Sequence, residues 1–161
     1  MKRLIISLAV ALMMVAVMAV PVMAAETGDT SVEGTLGAVL EVTVPASITF
    51  ATFEVGEMTA ASEADALKIT CNNPSGWDLK VKSNNENGKM KGDSTAIELG
   101  AVLLVSAGDL TDVTVTTAEQ VVQTSPVPGE WSGQISLKQT VAVTDPADTY
   151  RITLTFTGYA K

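Results

Sequence analysis

The side chains of this sequence that could do chemistry are carboxylates, amides and two tryptophans. Histidine is absent, which removes Ser-His and Cys-His nucleophile activation, imidazole-ligated zinc and haem on a proximal His. Carboxylates occur three residues apart, Asp109 with Asp112 and Asp145 with Asp148. A glycosidase would set two such groups across a cleft and raise the pKa of one by burial. Both pairs fall instead in expected turns, where Asp caps nearby backbone N–H groups. Asn85-Glu86-Asn87-Gly88, followed by Asp93, offers the hard oxygen ligands calcium takes. It lacks the regular acidic spacing and distal Glu of a calcium loop, so it reads as a solvated loop. No metal or cofactor is expected. Cys71 is the single cysteine, so no intrachain disulfide is expected, and its place in an alternating strand reads as a small buried hydrophobe.

The two tryptophans are the remaining candidates. Trp131 sits in an expected Pro/Gly loop, Gln123 to Gly133, beside Glu130 and Ser132. An exposed ring there would stack on a sugar face or a partner, and a buried one would plug an end of the fold. Trp77 lies in register with Leu79 and Val81, which points to core packing.

What must position these groups is a set of strands, because period-two alternation dominates the chain after residue 34. Leu36, Ala38, Leu40, Val42 and Val44 share one face of a first strand, which Pro45 ends. Ile48 and Phe50 suggest a short second one. Leu67, Ile69 and Cys71 alternate with Lys68 and Thr70. The turn Asn72 to Gly76 then leads into Trp77, Leu79 and Val81, alternating with Asp78, Lys80 and Lys82, and the two runs read as a hairpin. Ser83 to Ser94 is an expected loop, Ile97 to Val105 another strand, and Leu110 to Val115 one more. Ile135, Leu137, Gln139, Val141 and Val143 lead through Asp145-Pro146-Ala147-Asp148 to Tyr150, Ile152, Leu154 and Phe156, a second apparent hairpin. Thr59 to Ala66 could form one or two helical turns. The fold class is therefore all-β: a single antiparallel β-sandwich, Ig-like or jelly-roll-like, of about eight strands over residues 35–161.

Ahead of it, residues 1–24 read as a secretory signal peptide, a signal helix that is removed. Lys2 and Arg3 precede an apolar run from Leu4 to Val20, Pro21 breaks it, and Val22-Met23-Ala24 provides a cleavage site. An uncleaved anchor is the rival reading, since the run reaches the lower edge of a membrane span. Pro21 and the small residues favour cleavage. Residues 25–34 then form a flexible leader. The whole chain carries 10 basic and 18 acidic residues. Losing Lys2 and Arg3 leaves eight basic residues against the same eighteen acidic ones, a net charge of −10. Such a chain is a poor match for nucleic acid. It is expected to be secreted, with no membrane span after cleavage.

Trp77-Asp78-Leu79, just after a Gly-bearing turn and inside a strand, resembles the first W-x-L motif of WxL-type cell-surface domains. Val44 to Phe50 near the start of the β region and Tyr150 to Phe156 at its close resemble that family's setting; the C-terminal strand carries Phe156 where the second motif would have Trp. The resemblance implies a non-enzymatic domain held non-covalently on the bacterial cell wall, beside other surface proteins, with Trp77 and Leu79 as its motif residues. The expected function is thus binding or surface assembly without catalysis, with a cell-wall polymer or surface proteins as partners and Trp131, Trp77 and Leu79 as candidate binding residues. The alternative is a structural subunit of a fibre, pilus or surface layer, a homo-oligomer in which the first strand completes a neighbour's sheet. A carbohydrate-active enzyme is a remoter one.

Overall fold

The computed structural model describes residues 35–161; the signal peptide and leader read from the sequence lie outside them. The described residues form twelve strands and no helix: β1 (Leu40–Thr43), β2 (Gly56–Ala61), β3 (Leu67–Cys71), β4 (Trp77–Ser83), β5 (Lys91–Gly92), β6 (Leu104–Ala107), β7 (Leu110–Thr114), β8 (Gln120–Ser125), β9 (Gly129–Gly133), β10 (Ser136–Val141), β11 (Tyr150–Arg151) and β12 (Leu154–Ala160). All pairings are antiparallel. They build four sheets, in the orders β1-β3-β9, β2-β10-β6-β7, β11-β5 and β12-β4-β8. The all-β class expected from the alternation is what the chain adopts, with more and shorter strands than the eight anticipated.

Burial follows the period-two pattern closely. Leu67, Ile69 and Cys71 of β3 and Trp77, Leu79 and Val81 of β4 are all buried, while Lys68 and Lys82 are exposed. Each apolar side chain withdrawn from water contributes about 1.5–3 kcal/mol, so two such faces meeting form the centre of the core. Gly158 on β12 marks where they meet. A Cβ there would lie 2.7 Å from Val42 Cγ2 of β1 and 3.2 Å from Ile69 Cδ1 of β3, so a side chain at this point would push the β1 and β3 side chains away from β12. The outer face of β4 is polar: Asp78 pairs with Lys161 at 3.0 Å, and Lys80 lies 4.6 Å from the ring centroid of Tyr159.

The strand partners differ from the sequence reading. β3 and β4 are not a hairpin; they belong to different sheets, and the turn at Asn72–Gly76 carries the chain across. Asn73 Oδ1 accepts from Ser75 N at 2.9 Å, and Gly76 adopts a φ of +85° with the Ser125 carbonyl 2.0 Å from where a Cβ would stand. The backbone of this turn therefore needs glycine. β10 and β12 likewise belong to different sheets, with β11 between them paired to β5. Alternation reports which side chains point inward; it carries no information on which strand lies alongside.

Four further expectations are corrected. Thr59–Ala61 is part of β2, not a helical turn, because Met58 and Ala60 alternate inward against β10 and tertiary pairing overrides the helix propensity of alanine. Ile48 and Phe50 form no strand. The run from Ile97 to Val105 is strand only from Leu104, since Gly100 donates its N–H to the Asp145 carboxylate at 3.0 Å instead of entering a ladder. The polar stretch Ser83 to Ser94 contains Ser83 at the end of β4, buried Met90 and β5.

Trp77 is 2% exposed, and its Nε1 has no hydrogen-bond partner among the described residues. The ring contributes bulk, while the unpaired N–H costs about 1–3 kcal/mol. Trp77→Ala is expected to lower the unfolding free energy by about 3–5 kcal/mol through the cavity it leaves. Trp77→Phe is expected to cost much less, because it keeps an aromatic ring and removes the unpaired donor. Chemical denaturation of the two variants checks this; equal losses would show that the site does not depend on ring bulk.

Candidate groove between residues 44–53 and 141–156

After β1 the chain passes through Pro45 and runs without secondary structure to Gly56. Among the described residues, no backbone N–H or carbonyl of 44–53 has a hydrogen-bond partner. The segment is held by its side chains instead. Phe50 is buried, its ring centroid 5.3 Å from that of Phe53, which in turn lies 6.0 Å from that of Tyr150. Facing it is the stretch from Val141 through the 145–148 turn to Phe156. Between the two lies a groove of about 920 Å³, lined by apolar side chains that include Ile48, Phe53, Ile152, Leu154 and Phe156. Val55 and Val143 line it too, and are 68% and 84% exposed. Among the described residues β12, whose Leu154 and Phe156 reach the groove, pairs with β4 alone, so its other edge carries ladder groups without a described strand partner.

The polar groups of the far wall are already committed. Asp145 accepts from the N–H of Gly100 at 3.0 Å and of Ala142 at 2.8 Å. Asp148 accepts from Thr95 N at 2.8 Å, Thr95 Oγ1 at 2.7 Å, Thr149 N at 2.7 Å and Ser94 N at 3.1 Å. Those bonds, led by the Thr95 N–H, favour the charged form and hold the Asp148 carboxyl down to about 2. Tyr150 donates its hydroxyl to the Pro146 carbonyl at 2.6 Å, and burial pushes its pKa up. Arg151 pairs with Asp93 at 2.6 Å. These contacts brace the 145–151 wall against the 93–95 loop. What the groove presents to a ligand is a mixed surface, apolar side chains beside Ser47, Thr49 and Thr153, bordered by backbone groups without a partner among the described residues, features that can accept an extended polypeptide.

The residues singled out from the sequence lie elsewhere. Trp77 and Leu79 are buried on the inner face of β4 and do not line the groove. Trp131 lies not in a loop but on β9, opposite Ile69 and on the same inward face. It is half-buried against the core, with its ring over Gly133, where a Cβ would stand 2.6 Å from Trp131 Cη2. The missing side chain at Gly133 makes the slot that the indole fills. Asn85 donates to Glu98 at 2.7 Å, and among the described residues no three acidic or sulfur side chains gather as a metal site would need. Asp112 is tied up with Ser106 and, at 2.9 Å, with Lys138. The groove residues were visible in sequence only as strand-like alternation at Ile48 and Phe50 and at Ile152 to Phe156.

Asp148 carries a pH prediction. Its folded pKa lies below the ordinary carboxylate value of 3.8, so its contribution is complete above that value and is lost as the pH falls through about 2. The melting temperature of Asp148→Asn should fall short of wild type near neutral pH, and the gap should narrow between pH 4 and pH 2. A gap constant across that range would contradict the assignment. Compared with models of known protein families the chain matches none, and no curated protein matches it.

Proposed function

We propose that the mature chain is a secreted, surface-associated β-sandwich, Ig-like or jelly-roll-like, that works by binding or assembly and not by catalysis. The signal-like residues 1–24 and the acidic charge that remains support export. The approach of β1 and β3 to Gly158 on β12 supports two sheets stacked face to face. The observation that carries the binding reading is the groove flanked by the backbone of 44–53 and the edge of β12, neither of which is paired among the described residues. In the W-x-L resemblance, Trp77 and Leu79 are core residues, so they serve as a mark of the fold, and attachment to a cell-wall polymer or a surface protein falls to the groove.

The second reading is a subunit of a fibre, pilus or surface layer, favoured by the same open edge. Unpaired strand edges are templates for another chain unless something covers them.

The test is co-sedimentation of residues 25–161 with isolated cell envelope. Wild type should be retained, and Val55→Arg, at an exposed position of the groove, should weaken retention about tenfold or more with an unchanged melting temperature. Trp131→Ala should lose stability without a specific loss of binding. A Val55→Arg chain that binds as well as wild type would overturn the groove as the attachment site.

A further inference from the structure

We propose that the groove between 44–53 and 141–156 is an acceptor for a β-strand from a second copy of this chain, donated by the stretch centred on Leu36. The inference rests on the assembly reading above and names its partner.

Three observations meet here. The first is the acceptor: a groove with apolar side chains in its lining, ten residues whose backbone has no partner among the described residues on one side, and on the other an edge of β12 that no described strand pairs. A strand entering it would find both hydrogen-bonding groups and apolar contacts. The second is the donor. Leu36 is 83% exposed, an unusual position for a leucine that no described neighbour covers. The stretch is fixed at its downstream end, where Asn72 donates to the Gly37 carbonyl and accepts from Val39 N, each at 2.7 Å. Only Leu40–Thr43 of the long first strand expected from sequence is spent on pairing with β3. The third is the chain ahead. The alternation begins at Leu36, which shares a face with Ala38 and Leu40. Cleavage after Ala24 would leave ten residues before Thr35. Extended, they span about 33 Å, enough to run beside a ten-residue wall.

Donor and acceptor are different surfaces of the chain. The contact is therefore head-to-tail, each copy offering a strand to one neighbour and a groove to another, and it propagates as an open chain unless the geometry closes a ring.

Light scattering on size-exclusion fractions of residues 25–161, loaded from about 1 μM to 1 mM, tests this with two substitutions at exposed positions. Leu36→Asp spoils the donor; Val143→Arg spoils the acceptor. Wild type should form a concentration-dependent ladder of multimers, and each variant alone should be monomeric. A mixture of the two should stop at two-chain species, because one intact donor and one intact acceptor remain between them. A wild type that stays monomeric at every concentration overturns the proposal, as do multimers that survive both substitutions. If wild type is monomeric while Val143→Arg loses envelope retention, the groove serves a foreign chain: the second-copy occupant is wrong and the binding site stands. If Val143→Arg alters neither mass nor retention, both readings of the groove fail.

Discussion

The inner face of β4 cannot be left in water, and most of the architecture serves to cover it. Trp77, Leu79 and Val81 bring two large side chains and a branched one out of solvent on one strand, and β4 is hydrogen-bonded along both edges, to β12 and β8. β3 contributes the facing layer with Leu67, Ile69 and Cys71. The details that look local follow from this closure. Gly158 is a glycine because β1 and β3 come down on it, and Gly76 because the turn between the two layers passes against the Ser125 carbonyl. The polar side chains of β4 form the wet outer face, where ion pairs such as Lys80 with Glu119 at 3.7 Å are screened and add little stability.

Where that closure stops, the groove begins. Backbone polar groups are normally paired when a segment leaves water, and the chain meets the rule along the ladders. Residues 44–53 stay mostly exposed: they are pinned by Phe50 and Phe53, use none of their backbone groups on described neighbours, and leave those groups to water. Pro45 contributes to this, since it lacks an N–H and cannot continue the ladder of β1. A wall held by aromatic anchors, with its backbone open, can exchange water for another chain without breaking bonds of its own. The opposite wall is rigid because Asp145 and Asp148 spend their oxygens on the N–H groups of Gly100, Ala142, Ser94, Thr95 and Thr149.

Much of the fold class was legible in the sequence. The inward residues of β3 and β4 and the burial of Cys71 follow from alternation alone, because the side-chain period of a strand is two whatever its partners are. The pairing was not legible: the same alternation at 67–71 and 77–81 is compatible with a hairpin and with a crossing between sheets, and the Asn72–Gly76 turn serves either. Trp131 was misread as a loop residue because Pro126, Pro128 and Gly129 suggest a break, yet the break is confined to the residues between β8 and β9. The candidate groove was the least legible feature. Ile48 and Phe50 look like strand residues, and their defining property, a backbone without a partner among the described residues, depends on where the other strands lie.

Amide hydrogen exchange on the dilute, monomeric protein tests the account most directly, because protection reports backbone pairing residue by residue. The interior of β4, paired on both edges, should exchange slowest, and the amides of 46–53 should exchange within the first time points despite the burial of Phe50. Protection of 46–53 comparable to that of β4 would mean that this segment is already paired within the chain, and the open-walled groove would not exist.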